Sequence, residues 1–298
     1  MGESAPRHLR SLLAEGRMVV SPGACDPFTA RLIERAGFES LYLGGNALGL
    51  SLAKGQPLIT LTETVNHAAA IVRTSNLPLI VDAGAGFGGV AHVHRSVREI
   101  ESTGAAALHI DDQPYPKSPS YHRGKGGLVP VEAAAAKLAV AVRAKRDPDF
   151  MVIARTDALR VTGDLDAAIA RGRAYAEAGV DALMVLDLEP GQTAAVRTAL
   201  PDLPLVWIGA VQAPVPRVGQ LEAAGFAIAV YPMNTIAAIA DVVARLWGTL
   251  RETGEMPQDG DFLKRMRHEL SLIAGMQTYW DIEDKAARED QAARRIKR

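Results

Sequence analysis

Glu34–Leu43 reads ERAGFESLYL. An amphipathic stretch runs into a glycine, and four residues later an apolar run begins. Gly37 is placed to end a helix, because a C-terminal cap needs the left-handed backbone that glycine adopts freely. Leu41-Tyr42-Leu43 then reads as a short strand. The phrase returns as ESTGAAALHI (101–110), AEAGVDALMV (176–185) and EAAGFAIAVY (222–231). Each is a helix end, a cap glycine and a strand.

Working outward from these four phrases, strands are expected over Met18–Val20, Ser40–Leu43, Pro78–Asp82, Ala106–Ile110, Phe150–Ala154, Asp181–Leu186, Pro204–Ile208 and Phe226–Val230. Helices fall between them. Phe28–Ala36 is capped by Asp26, and Leu165–Ala178 by Asp164. Thr62–Thr74, Val93–Thr103, Val131–Lys145, Gly191–Leu200 and Arg217–Ala224 complete the alternation. Eight strand–helix units in this length predict an α/β fold, a (β/α)₈ TIM barrel, rather than an open doubly wound sheet. No glycine-rich dinucleotide fingerprint follows the first strand, which counts against a Rossmann domain.

Either side of the barrel the pattern changes. Pro6–Gly16 reads as a short amphipathic helix with Leu9, Leu12 and Leu13 on one face. Beyond the eighth strand come two long amphipathic helices, Thr235–Thr253 and Asp261–Asp284, and a charged end, Lys285–Arg298, expected to fray. The expected organisation is an N-terminal helix (1–17), a barrel (18–253) and a C-terminal helical extension (254–298). The apolar faces of the extension suit a second subunit, so a homo-oligomer is expected.

The chain has 298 residues, 48% hydrophobic and 22% charged, with a formal net charge of −1. Near-neutral charge gives no reason to expect nucleic acid or an anionic membrane surface as partner. No apolar run reaches membrane-spanning length. One cysteine, Cys25, excludes an internal disulfide and any multi-cysteine metal centre. The N-terminus lacks a signal-like apolar core, so a cytoplasmic protein is expected.

In a barrel of this kind the chemistry sits where strands run into loops. The residues at those positions are Ser21 and Asp26; Tyr42, Gly44, Gly45 and Asn46; Asp82; His109, Asp111 and Asp112; Arg155; Asp187 and Glu189; Tyr231 and Asn234. Leu79–Gly89, LIVDAGAGFGG, is the plainest case. A buried strand ends in one acid, Asp82, and a glycine-rich loop that lets backbone approach a ligand. Several acids with one arginine suit a divalent cation and a small anionic carboxylate substrate. Arg155 either grips that anion in bidentate fashion or pairs with Asp157 or Asp111 as structure. Gln113–Pro130 is long for a loop in a compact domain and reads as a lid. Gly124, Gly126 and Gly127 serve as hinges, and Lys117, Arg123 and Lys125 attract an anion.

The ordered set PGACDPFTARLIERAGFESLYLGGN (22–46), VDAGAGFGG (81–89), ALHIDDQ (107–113), DPDFMVIARTDAL (147–159) and AIAVYPMNT (227–235) resembles the isocitrate lyase/phosphoenolpyruvate mutase superfamily. The nearest branch is the short methylisocitrate-lyase-like proteins. The resemblance implies a barrel whose eighth helix swaps between subunits, in a dimer of dimers (a homotetramer). It implies Mg²⁺ (or Mn²⁺) and cleavage of a C–C bond in a small 2-oxo or 2-hydroxy acid through an enolate. The expected activity is therefore a lyase or decarboxylase. The alternatives are a phosphonate enzyme (mutase or phosphonopyruvate hydrolase type) and a non-catalytic ligand-binding member.

The same resemblance makes Asp82 and Asp111 the metal residues, Tyr42, Gly44, Gly45 and Asn46 the substrate segment, and Arg155 the carboxylate anchor. It also exposes departures. Gly84 stands where a second acid is usual, and Gly44 where a serine is usual. Ala53–Pro57 lacks an acid most members carry. The lyases have a Lys-Arg-Cys-Gly-His motif in the mobile loop, with cysteine as acid–base, but here residues 116–124 read PKSPSYHRG. His122, near neutral in unperturbed pKa, and Tyr121 are the catalytic candidates in its place. Cys25 lies elsewhere and reads as a packing residue.

Overall fold

The computed structural model describes residues 3–123, 126–209 and 211–296. Eight parallel strands form the centre: β1 (Val19–Pro22), β2 (Leu41–Leu43), β3 (Leu79–Asp82), β4 (Ala107–Asp111), β5 (Met151–Thr156), β6 (Ala182–Val185), β7 (Leu205–Ile208) and β8 (Phe226–Tyr231). They are hydrogen-bonded in the order β1-β8-β7-β6-β5-β4-β3-β2. The remaining seam, β1 to β2, is bridged by Gly23 and Tyr42, with the Ala24 N–H donating to the Tyr42 carbonyl. All eight expected strands are present, within two residues at their ends, and the sheet is a nearly closed barrel.

The crossover helices are α2 (Pro27–Arg35), α4 (Leu61–Val72), α5 (Val90–Glu101), α6 (Val131–Ala144), α8 (Leu165–Glu177), α9 (Thr193–Ala199) and α10 (Val218–Ala223). The cap glycines behave as the repeated phrase requires. Gly37, Gly104, Gly179 and Gly225 have φ between +84° and +86°. Asp26 caps α2 through a reciprocal box with Thr29, and Asp164 caps α8.

Side chains alternate across each strand, so the barrel has two apolar layers. Val81, Leu108, Val152 and Leu183 face the ring of helices. Ile80, Ala107, Ile153, Met184, Val206 and Ile228 fill the interior. Helix α1 (Ala5–Ala14) closes one end, with Leu9 and Leu12 packed into that inner layer.

Four features differ from the sequence reading. Helices α3 (Gly45–Ser51) and α7 (Ala158–Thr162) lie where the sequence pattern predicts no element. They have seven and five residues, too few for an apolar period to show. Pro119–Arg123 forms a 3₁₀ turn inside the long loop. The expected single helix after residue 260 is two, α12 (Gly260–Ile273) and α13 (Met276–Ile296), broken at Gly275 with φ +77°. Helix α13 also carries the charged end to Ile296, where fraying was expected.

The chain divides into two compact units, Met1–Ala238 and Ile239–Arg298, the boundary falling inside α11 (Asn234–Thr253). Among the described residues no helix is long and apolar enough to cross a membrane.

Candidate active site

Strand parity carries the chemistry to the mouth of the barrel. On β3 the interior positions are Ile80 and then Asp82. On β4 they are Ala107, His109 and Asp111, and on β5 Met151, Ile153 and Arg155. The register sets Asp82 opposite His109 and Asp111 opposite Arg155. The apolar interior thus ends in a charged layer at the opposite end from α1.

Above this layer is a cavity of about 490 Å³. Tyr42, Gly45, Asn46, Asp82, Tyr121 and Arg155 line its floor and wall. Gly44, Asp187 and Asn234 from the sequence reading line it too, together with Gln56, Arg160 and Gln212. A second cleft, between α8 and α9, is lined by helix-surface residues such as Asp166, Arg173 and Thr198 and holds no comparable convergence of groups.

Asp82 is 5% exposed and fully engaged. Its Oδ2 accepts from the Gly45 N–H at 3.0 Å and its Oδ1 from the Gly84 N–H at 2.8 Å. Burial pushes its carboxyl up, but His109, Lys117, Arg155 and the Gly84 N–H outweigh that and hold it at about 2. His109 is itself kept below its ordinary value by burial. Its Nε2 lies 2.9 Å from Tyr42 Oη and 3.7 Å from Asp82 Oδ1. Its Nδ1 has no partner among the described residues.

The glycines after β2 are a packing requirement. A Cβ on Gly44 would lie 2.8 Å from Tyr42 Cε1, so this tyrosine position excludes the serine of the resembling family. A Cβ on Gly45 would lie 3.0 Å from Asp82 Oδ2. The N–H of Gly45, a residue of the segment that the resemblance assigns to substrate, is taken by Asp82.

Of the two roles the sequence left open for Arg155, the structure shows the pairing with Asp157. Its Nε donates to Asp157 Oδ1 at 2.7 Å and its Nη2 to Asp157 Oδ2 at 3.2 Å, a bidentate structural pair. Nη2 also reaches Tyr121 Oη at 3.3 Å. Nη1 keeps no hydrogen-bond partner among the described residues, and the side chain borders the cavity. Tyr121 Oη donates to Asp157 Oδ2 and accepts from Arg160 Nη1 at 3.4 Å. Burial pushes the Tyr121 phenol well above its usual value, so it stays protonated near neutral pH.

Other expected residues stand apart. Asp111 is buried and pairs with the Lys117 ammonium, off the cavity. Asp112 faces outward. Ser21 donates to Ser40, Asp26 and Glu189 serve as caps, and Tyr231 stacks edgewise on Trp207. Cys25 is a buried free thiol. The His122 side chain, Gly124 and Lys125 lie outside the described residues. Arg160 was missed because α7 was not foreseen. Gln56, a neutral side chain in a 3₁₀ turn, carried no signal.

A family model described as phosphoenolpyruvate phosphomutase matches residues 9–250. The chain belongs to this family. Within the PEP mutase/isocitrate lyase superfamily it is 37% identical over 248 residues to 2,3-dimethylmalate lyase of Eubacterium barkeri, covering 82% of this chain and 85% of that one. It is 37% identical to 2-methylisocitrate lyase of Aeropyrum pernix, covering 91% and 87%. The solved complex of phosphonopyruvate hydrolase with oxalate and Mg²⁺ superposes with a TM-score of 0.80 at 28% identity, over 93% of this chain and all of that one.

Proposed function

We propose that this superfamily member is a carbon–carbon lyase acting on a small 2-oxo or 2-hydroxy carboxylic acid through an enolate. The observation that carries the reading is Arg155. It is a buried guanidinium, fixed by Asp157, whose side chain borders a cavity with room for a small acid and whose Nη1 has no hydrogen-bond partner among the described residues. The lyase names of the two relatives support the reaction class.

Each residue has a definable task. Arg155 Nη1 binds the substrate carboxylate, and Tyr42 and Asn46 wall the reacting carbons. In a 2-hydroxy acid the hydroxyl loses its proton to solvent in the cavity, and its O–H electron pair forms the product carbonyl as the C–C bond breaks. The C–C pair passes into the departing enolate, and Tyr121 Oη turns from Asp157 to supply the proton that quenches its carbon. Arg155 and Arg160, both hydrogen-bonded to that oxygen, stabilise the phenolate left behind. Tyr121 thereby takes the position expected of the lyase cysteine. The loop bearing it is the lid, fastened by Lys117 to Asp111 and by the Val129 N–H to the Asp112 carbonyl.

Magnesium is what the resemblance implies, and one structural relative is a complex with it. The residues of this chain do not fit a bound divalent ion as they stand. Both oxygens of Asp82 and of Asp111 already accept hydrogen bonds, and the described residues contain no group of three or more His, Cys, Asp or Glu suited to a metal. No step is assigned to it.

A phosphonate substrate is the second reading. Arg155 and Arg160 both border the cavity, and a phosphonate carries the extra charge to engage both. The substrate test is a screen of oxaloacetate, methylisocitrate-type and malate-type acids against phosphonopyruvate, with pyruvate or oxaloacetate release as readout. Turnover of a C–C acid is expected. Phosphate release from phosphonopyruvate alone would replace the first reading with the second. Assembly as a homo-oligomer belongs to the same proposal. Val242 and Trp247 on α11, Leu263 on α12, and Tyr279 and Ile282 on α13 are large apolar residues left exposed on the chain. Sedimentation at micromolar concentration should show more than one subunit, and a monomer would refute it.

A further inference from the structure

Asp82 and Asp111 lie on neighbouring strands, both facing the barrel interior, 5% and 3% exposed. A carboxylate in so dry a place needs a partner of opposite charge. Lys117 meets that need. It comes from the loop after β4, is only 8% exposed, and places its Nζ on Asp111 Oδ2. Lysine is almost never buried this deeply unless paired. Asp111 Oδ1 is taken by the Gln113 N–H, and Asp82 by the N–H groups of Gly45 and Gly84. Position 84 completes the arrangement. It carries no side chain, and a Cβ built there would come within 3.4 Å of Lys117 Cε. Gly84 has φ +53°, a backbone that disfavours a side chain, and the Lys117 stem packs over it at ordinary contact distance.

We infer that the Lys117 ammonium is the resident cation of this site and stands in place of a divalent metal. The loop is therefore latched by the same charge that pairs with Asp111, and the protein needs no Mg²⁺ or Mn²⁺ to hold the mouth together. A divalent ion and the docked lysine compete for Asp111, so one enters only as the other leaves. The inference takes its location from the proposed lyase site, but its test uses no substrate, so failure of the substrate screen leaves it standing or falling by itself.

The test is calorimetric titration of MgCl₂ and MnCl₂ into the full-length chain, paired with thermal melts. Wild type is expected to bind neither ion at millimolar concentration and to melt unchanged in EDTA. Lys117→Met strands Asp111, and its midpoint should fall by on the order of 10 °C. Millimolar Mg²⁺ should return part of that loss. Lys117→Arg should keep the wild-type behaviour. Should Lys117→Met fail to fold, the double variant Asp111→Asn/Lys117→Met removes both charges and is expected to fold and melt near wild type without metal. One Mg²⁺ bound per wild-type chain at micromolar affinity would overturn the inference. So would a double variant no better than Lys117→Met.

Discussion

Two clusters of the same three residue types stand on opposite sides of the barrel wall. Inside are Tyr121, Arg155 and Asp157. Outside, between β4 and α8, are Tyr175, Arg171 and Asp112. Asp112 accepts from the Tyr175 hydroxyl at 2.8 Å, Thr156 Oγ1 at 2.7 Å, Arg171 Nη1 at 3.2 Å and the Asp157 N–H at 3.0 Å. The last bond joins the clusters. The outer set is closed on itself, because Arg171 spends its other nitrogen on the Val129 carbonyl. The inner set leaves one guanidinium nitrogen without a partner among the described residues, on a side chain that borders a cavity. Composition does not separate a binding group from a structural one here. Strand parity does, since Arg155 points inward and Thr156, its neighbour, outward.

The arginines should differ most. Arg155→Met is expected to lower kcat/KM by roughly a hundred- to a thousandfold, the cost of leaving a substrate carboxylate unpaired. Arg171→Met should leave kcat/KM within about twofold and cost about 2 kcal/mol of stability. Steady-state kinetics and denaturant melts on both variants decide it, and equal kinetic losses would end the distinction. The tyrosines follow. Tyr121→Phe should reduce kcat about a hundredfold, as expected for a proton donor. Tyr175→Phe should cost about 1 kcal/mol of stability and no turnover. If Tyr121→Phe turns over like wild type, the proton comes from elsewhere, with His122 next to be replaced.

The smallest contrast is in acid. Burial raises the Asp157 carboxyl, yet Arg155 and Tyr121 prevail and hold it below its ordinary value. Its contribution is present above the unfolded carboxylate pKa of about 4 and is lost as pH falls below that. Burial dominates at Asp112 and holds it above its ordinary value, so its ionised form opposes folding, and that penalty fades as pH falls toward 4. The stability gap between wild type and Asp157→Asn should therefore narrow below pH 4. The gap for Asp112→Asn should widen between neutrality and pH 4. Urea midpoints across pH 3–7 test both, and parallel trends would contradict the assignment.

Much of the fold was legible because it repeats. Gly37, Gly104, Gly179 and Gly225 mark four helix ends by one physical need, and the strand ends follow. Asp82 and Arg155 were legible for the same reason, as the last inward positions of apolar strands. What was hidden is what depends on neighbours distant in sequence. Lys117 read as a surface cation of a mobile loop, because nothing local says that it turns down onto Asp111. Gly45 belongs to the segment assigned to substrate, but the Asp82 carboxylate holds its N–H. Helix α7, with Arg160, was invisible at five residues.

The seam between β1 and β2 has a consequence for how the chain reaches this form. β1 joins β8 through four register pairs, Val19 with Ile228 to Pro22 with Tyr231, whereas among the described residues the ladder toward β2, its neighbour in sequence, is only the bridge of Gly23 and Tyr42 just beyond the end of β1. The barrel's first strand therefore depends for most of its pairing on its eighth. Until β8 arrives, Leu9 and Leu12 have no cylinder to stopper, and Tyr42 has only half of its edge held. Loop closure over so long a span is slow relative to local pairing. The ring is finished at the cavity wall, so assembly of the barrel and completion of the pocket are one event.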